Sequence, residues 1–522
     1  MNISVKTSVG VSPGDAVRAH ALAAPDKVAI TFEGRSTTYL EFDRAANQVA
    51  NGLTTLGVEA TDRIAILDKN TDRFFEIWLG LSKLRAVIVP INARLAAPEI
   101  EYVLNDADVK ILFVGESFVE LVGKIRDRVT GVKKIIVVNE EYETWRQSYP
   151  SLQVQHAVSS DDVSMQLYTS GTTGNPKGVQ LTNGNTLNSS AETLASWGNW
   201  NASDTALVAM PLFHIAGCGA GMLSLIGGLK MVLVRDFIPP QVIELIQKER
   251  ITVAFLVPAM IMFLLDEKSI AEADLSSLRR IVYGASPIPS KHLQRAIHRF
   301  SSTGFIQIYG LTETTGGITV LSPEDHADSD SPRLRSCGRP IAGVELRIMG
   351  ADGNPVRQGE VGEIVCRTVK NMKGYWNRDA ETERTLRNGW LHTGDVGYVD
   401  EDGYVYIHDR VKDMIVSGGE NIYPAEIESA IFGHQSIADV AVIGVPDDRW
   451  GEAVKALIVL KPGVAADSAA ADILAYARER LAGYKVPKSI DFIEVMPRNP
   501  TGKVLKRELR EKYWQGYERR VN

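Results

Sequence analysis

Residues 168–179 read YTSGTTGNPKGV, a stretch that few backbones accommodate. Gly171, Gly174 and Gly178 remove Cβ atoms where a chain bends sharply and comes close to an anion. Thr169, Ser170, Thr172 and Thr173 set hydroxyls beside the backbone N–H groups. Lys177 adds a mobile cation. The strand-like DDVSMQLY before it places this loop at the end of a sheet strand, where a free linker would have no such anchor. Lys177 is followed by Gly178 and not by a Ser or Thr that could hold magnesium, which demotes the Walker phosphate-loop reading. The pattern points to phosphate held by another design.

The rest of the chain says what kind of sheet carries that loop. β-branched runs, VKILFVG (109–115), KKIIVVN (133–139), RRIVYGAS (279–286) and GFIQIYG (304–310), alternate with helix-like segments such as PPQVIELIQKER from Pro239. That alternation predicts α/β layers. After about residue 320 the texture turns to short strands, VELRIM, GEIVCRT and GYVYIHD, with Asp352-Gly353 and Asp402-Gly403 turns, a small β subdomain. From Ile415 onward AEIESAIF, DVAVIGVP and AVKALIVLK compose a compact α+β unit. A chain of 522 residues is too long for one core. The expected architecture is α/β: a large N-terminal domain over 1–409, built of layered α/β and the small β subdomain, a hinge over 410–412, and a small, mobile α+β C-terminal domain over 413–522.

Composition removes several classes of function. The longest apolar run, Val253 to Leu265, contains Pro258 and is shorter than the ~18 residues needed to cross a bilayer, so no transmembrane segment is expected. The N-terminus, MNISVKTSVGVSPGD, lacks a basic start before an apolar core, which predicts a cytoplasmic protein. Cys218, Cys337 and Cys366 are scattered and fit neither a zinc site nor a disulfide framework. A net charge of -7 argues against nucleic acid as the main partner. The basic run from Lys503 to Lys512 is interrupted by Glu508 and Glu511 and reads as a solvated terminal helix, with weak contact to a membrane surface as its other use.

Beyond the loop, further segments follow in a recognisable order: YGLTET at 309–314, TGD at 393–395, DRVKDMIVSGGENIYPAEIE at 409–428 and PRNPTGKVLKR at 497–507. Together with the loop they resemble the adenylate-forming superfamily of acyl-CoA synthetases, peptide-synthetase adenylation domains and beetle luciferases, over nearly the whole chain. The resemblance is nearest to fatty-acid or aryl acid:CoA ligases. It implies ATP with Mg2+ as the activating partner, CoA as co-substrate, and a small-molecule carboxylic acid.

The resemblance also implies roles. A carboxylate is a poor electrophile, and coupling it to AMP gives a mixed anhydride with a good leaving group. Cations and donors must then face the α-phosphate as charge builds there. Lys503, after the Pro500-Thr501-Gly502 turn, is the expected bridge between attacking carboxylate and α-phosphate. Glu313 is the expected Mg2+ ligand, assisted by Thr312 and Thr169, since a hard dication takes one or two protein oxygens beside phosphate and water. The loop itself, with Ser170, Gly171, Thr172, Thr173, Gly174 and Lys177, would hold the phosphates. Asp395 and Arg410 would take the ribose or phosphates, and Gly284, Ala285, Ser286, Tyr309 and Gly310 the adenine slot. Taken singly, each of these residues reads as an ordinary turn, cap or surface position. Their joint order argues for a site.

Lys412 matches the family's pivot, about which the C-terminal domain would turn to withdraw Lys503 and present SGGEN; Gly418 and Gly419 would then let a pantetheine arm pass. Trp450 and Tyr484 resemble positions on the CoA path, with Lys485 and Lys488 available for its phosphates. His214, in PLFHIAG, resembles the residue of acyl- and aryl-CoA synthetases where amino-acid-activating domains place an aspartate. Gly217, Gly219 and Gly221 with Ala216 and Ala220 suggest a roomy wall beside it. The expected function is an ATP-dependent acid:CoA ligase; an adenylation enzyme loading a carrier protein or other acceptor, and a nucleotide-binding regulator without catalysis, are the alternatives.

Overall fold

The structure is a computed structural model of the chain. It describes residues 11–154, 156–169, 176–197, 200–286, 288, 290–410, 413–417, 420–447, 450–498 and 502–515. Contacts divide the chain into two compact units: one of residues 1–345 and 366–391, the other of 346–365 and 392–522.

The first unit is built on two large sheets. The nine-stranded sheet has a parallel centre, in the order Gly304–Leu311, Arg280–Gly284, Val253–Leu256, Thr205–Val208, Lys230–Leu233 and Val28–Phe32. Antiparallel strands finish both edges: Gly316–Leu321 and Arg339–Pro340 on one side, Arg35–Thr38 on the other. The seven-stranded sheet runs parallel from Lys134–Val138 through Val109–Gly115, Arg63–Leu67 and Val87–Pro90 to Val163–Thr169. It then turns antiparallel through Lys177–Thr182 and the two-residue Gly374–Tyr375. Strands buried on both faces need continuous apolar runs, which is why the β-branched segments of the sequence fall here.

One core joins the sheets. It takes Ile30 and Met231 from the first, Ile64, Phe113 and Leu181 from the second, and Tyr39, Phe42, Phe75 and Trp78 from the helices Tyr39–Thr55 and Arg73–Leu84. The apolar run at 253–265 is resolved by its proline. Val253–Leu256 is a strand, and Pro258 sits in the first turn of the helix Pro258–Asp266, where its missing N–H costs nothing.

In the second unit the strand Trp390–Val399 pairs antiparallel with Val405–Arg410 over Asp395–Val399. Further on, Ile437–Asp447 and Gly451–Leu460 form a long hairpin, flanked by the short Ile415–Ser417 and Glu420–Ile422 pair and by parallel Ser489–Phe492. The helices Pro424–Phe432 and Ala466–Arg478 contribute Ile427, Ile431 and Ile473 to a core with Val442, Val454 and Ile458. This is the α+β texture expected from Ile415 on. Among the described residues no helix is long and apolar enough to cross a membrane, and all three cysteines are buried.

Candidate functional site

The glycine-rich stretch connects two paired strands. Thr169 closes one and Lys177 opens the next, and the two are register partners. Gly178 is needed here because a Cβ would lie 2.5 Å from the Gln166 side-chain amide. Ser170, Gly171, Thr172, Thr173 and Gly174 lie outside the described residues. Lys177 is less free than the sequence suggests: its Nζ is 3.5 Å from Glu381 and 5.3 Å from the centre of the Tyr375 ring.

Glu313 occupies the short turn Thr312–Thr314 after the strand Gly304–Leu311. Its Oε1 accepts a hydrogen bond from the Tyr375 hydroxyl at 2.9 Å, and its backbone carbonyl accepts from the Met372 N–H at 2.8 Å. Tyr375 thus touches both Glu313 and Lys177, and its two-residue strand pairs beside the loop at Val179. Sequence reasoning missed it. The available signal was the KGYWN segment at 373–377, an aromatic pair beside a glycine. Burial and the neighbouring carboxylate push the Tyr375 phenol well above its ordinary pKa, so it stays a donor to Glu313.

The turn is sterically tight. Thr315 adopts a left-handed φ of 51° and Gly316 one of 104°, and a Cβ on Gly310 would sit 2.0 Å from the Gly316 carbonyl oxygen. On the neighbouring strand Gly284 is equally constrained, 2.4 Å from the Ile308 carbonyl, and Ala285 follows with φ 66°. Gly284, Gly310 and Tyr309 therefore lie on adjacent strands with Ala285 and Ser286 just past the end. The structure brings these adenine-slot candidates together with Thr312 and Glu313.

An apolar cavity of about 110 Å³ opens between these strands and two helices, Asn183–Ser196 and Ile215–Ile226. Ala285, Gly310 and Thr315–Gly317 line one side; Trp78, Met165, Trp197, Phe255 and Met222 line the rest. The roomy-wall reading of the second helix holds for Ala216, Gly219 and Ala220, which line the cavity. It fails for two glycines. A Cβ on Gly217 would meet the Pro211 carbonyl at 2.2 Å, and one on Gly221 the Phe75 ring at 2.2 Å, so these serve packing.

His214 caps that second helix without a side-chain cap bond. The ring leans on Phe213 with centroids 4.6 Å apart, and its Nε2 is shut from solvent without a hydrogen-bond partner among the described residues. Burial, with a smaller contribution from Arg94, pushes the imidazole down to about 4, so it is neutral at pH 7. Its neighbour Ile215 lines the cavity, and His214 stands at the entrance of the helix that forms the wall.

Two walls of the cavity are tied together by a residue that no motif marks. Lys370 is fully buried, donates to the Gly317 carbonyl at 2.6 Å and lies 3.0 Å from Glu192 on the first helix. Its own carbonyl accepts from Thr315 Oγ1 at 2.6 Å.

In the second unit Asp395 is buried and faces Arg410 directly across the strand pair; the Arg410 side chain lies outside the described residues. Glu363 fixes the TGD turn by accepting from the Gly394 N–H at 3.0 Å and contacting His392 Nδ1 at 2.7 Å. Lys503 follows Gly502, whose φ is 83°. Arg498 and Val504 pair in an isolated antiparallel bridge. Arg498 donates to the Gly502 carbonyl at 2.6 Å and to both oxygens of Asp439 at 2.9 and 2.7 Å. Trp450 and Tyr484 are exposed. Lys485 is engaged by Glu426 at 2.6 Å; in the basic terminal run Lys506 pairs with Glu428 at 2.9 Å, Arg507 with Glu511 at 3.4 Å, Arg510 with Asp413 and Lys512 with Asp491 at 3.6 Å. Lys412, Gly418 and Gly419 lie outside the described residues.

Among the described residues no cluster of three or more His, Cys, Asp or Glu side chains could hold a metal ion. A single carboxylate such as Glu313 fits Mg2+ whose other ligands are phosphate and water, and no all-protein cage is needed.

A two-unit α/β enzyme that handles a nucleotide beside an apolar ligand cavity is the class these features define. The chain belongs to the AMP-binding enzyme family: that family's description matches residues 17–376, and the AMP-binding enzyme C-terminal domain matches 426–503. It is 39% identical over 508 residues to the fatty acid--[acyl-carrier-protein] ligase ScoC of Streptomyces coeruleorubidus, covering 96% of each chain. It is also 39% identical to the feruloyl-CoA synthase of an Amycolatopsis species, covering 94% of this chain and 97% of that one. Among solved structures, the anthranilate CoA ligase AuaEII in complex with anthranoyl-AMP superposes with a TM-score of 0.89 at 27% identity, over 98% of this chain and 99% of that one.

Proposed function

We infer that this chain is an AMP-forming acid:CoA ligase. A carboxylate oxygen of the acid attacks the α-phosphorus of ATP and displaces pyrophosphate. The sulfur of CoA then attacks the acyl carbonyl, forming the thioester and releasing AMP. The observation that carries the reading is that Gly310, on a strand assigned to the nucleotide, and Ala285, just past the end of the neighbouring strand, also line the apolar cavity. An acid held there has its reacting end beside the nucleotide. Glu313, assisted by Thr169, would hold Mg2+, which would supply positive charge to offset the phosphates.

Lys503 is the proposed bridge to the α-phosphate, Asp395 and Arg410 the ribose-side pair, and Lys412 the pivot between the two half-reactions. Gly418, Gly419, Trp450 and Tyr484 are the proposed thiol-side positions. The similarity to ScoC supports a second acceptor, an acyl carrier protein, in place of CoA. The test is AMP release from a panel of carboxylic acids with CoA, with a phosphopantetheinylated carrier protein, and with neither. CoA-dependent release and a thioester product are expected. Acid-dependent pyrophosphate exchange with a thioester only on the carrier would transfer the chain to the second reading, and no exchange with any acid would overturn both.

A further inference from the structure

Four hydroxyl-bearing residues of the helix Asn183–Ser196 line the cavity: Thr186, Ser189, Ser190 and Thr193. Their spacing of three and four residues places them on one helix face. Two are already used. Thr186 Oγ1 donates to the Thr182 carbonyl at 3.2 Å, and Ser189 Oγ donates to the Thr315 carbonyl at 2.6 Å. Ser190 and Thr193 are 5% and 9% exposed, neither hydroxyl has a hydrogen-bond partner among the described residues, and neither oxygen is among the fully enclosed unpaired polar atoms, so both remain open to an occupant of the cavity they line. Alanine or valine would line a hydrocarbon pocket without leaving hydroxyls open to it, and a ligand that covers these two must pair them or bear the ~1–3 kcal/mol cost of a buried unpaired hydroxyl. A ligand oxygen in the cavity would meet both requirements.

The surrounding surface says what else that partner carries. Trp197 and Phe255 present rings 6.5 Å apart and inclined by only 20°, and both line the cavity with Trp78. The volume of about 110 Å³ compares with the ~150 Å³ engineered cavity that admits benzene. Its size and aromatic walls suit one ring.

We propose that the acid is an aryl acid bearing a hydrogen-bonding oxygen, phenolic or ether, on its ring, and that Ser190 and Thr193 select for that oxygen. The inference rests on the ligase reading and specifies the acid. Sites built to hydrogen-bond a substrate oxygen reject the analogue lacking it far more strongly than apolar pockets reject an extra methylene.

The experiment compares matched acids on the full-length enzyme, by AMP release with ATP, Mg2+ and CoA: 4-hydroxycinnamate against cinnamate, 4-hydroxybenzoate against benzoate, and octanoate as the alkyl reference. In at least one pair the oxygenated acid should exceed its parent about tenfold or more in kcat/KM. Both should exceed octanoate. Ser190→Ala and Thr193→Val should each shrink the ratio, and the double variant should bring it within about threefold. Thr193→Ser should keep it. Because each ratio is measured on one enzyme preparation, partial unfolding cancels. A parent hydrocarbon acid preferred or equal in both pairs, octanoate as the best acid, or a ratio unmoved in the double variant would overturn the proposal while leaving the ligase reading intact. Release with none of the acids would strike the ligase reading instead.

Discussion

At Lys503 the charge is only half of what the chemistry requires, because a lysine side chain is long and flexible and its direction depends on the backbone that carries it. Arg498 restricts it, clasping the Gly502 carbonyl while anchored to Asp439. Lys503→Ala should cut adenylate formation, read as acid-dependent pyrophosphate exchange, by a hundredfold or more, on the order of a lost transition-state contact. It should spare thioester formation from a supplied acyl adenylate. Arg498→Ala tests the clasp. The pair is partly exposed, 42% and 25% for the two side chains, so its removal should change stability by less than ~1 kcal/mol. Even so, exchange should fall about tenfold or more, since small displacements of a positioned group are costly. A melting temperature that drops in step with activity would instead mark Arg498 as structural. His214 makes a different prediction. In the unfolded chain its imidazole titrates near 6.5, and in the folded protein near 4. Between these values the unfolded state binds more protons, so this group's contribution is intact above 6.5 and is lost as pH falls toward 4. Urea unfolding at pH 7 and pH 5 should show a smaller difference for His214→Asn than for the parent chain.

At the scale of elements, local pattern and long-range contact differ in how plainly the sequence shows them. VKILFVG became the strand Val109–Gly115 and PPQVIELIQKER the helix Pro239–Lys248, because periodicity and proline position are local signals. The motif residues around 309–314 were legible because their spacing is a signature in itself. The Tyr375–Glu313 bond and the Lys370–Glu192 pair were not, since each joins segments far apart in the sequence and no local pattern encodes the partner. The hydroxyl face of Asn183–Ser196 was written in the sequence, but which side of the helix meets a cavity depends on packing. Lys370 shows the energetic stake. Its ammonium is fully buried between Glu192 and Gly317, and burial lowers its pKa while Glu192 raises it. Removing one member of a buried pair strands the other, at ~3–5 kcal/mol. Lys370→Ala should therefore lower the unfolding free energy by about 3 kcal/mol in urea titration, and KM for the acid should rise more than kcat falls as the two cavity walls separate.

At the scale of the molecule, one chain must perform two reactions with opposed needs, since groups that enclose an adenylate during its formation obstruct the thiol that follows. The core around Ile427, Val442 and Ile458 is built entirely from residues 415–492, so a change of backbone direction just before Ile415 need not disturb it. The proposed pivot, Lys412, comes directly after the strand Val405–Arg410 and Val411. Motion there requires φ and ψ to change in few residues. Proline fixes φ near −65° and removes an N–H, so Lys412→Pro should hold the chain in one arrangement. Pyrophosphate exchange should persist within a few-fold of the parent enzyme, while thioester formation from supplied acyl adenylate and CoA falls by a hundredfold or more. A block of the first step with the second spared would show that proline traps the opposite arrangement and would still support a pivot at Lys412. Equal slowing of both, or of neither, would remove Lys412 from that role.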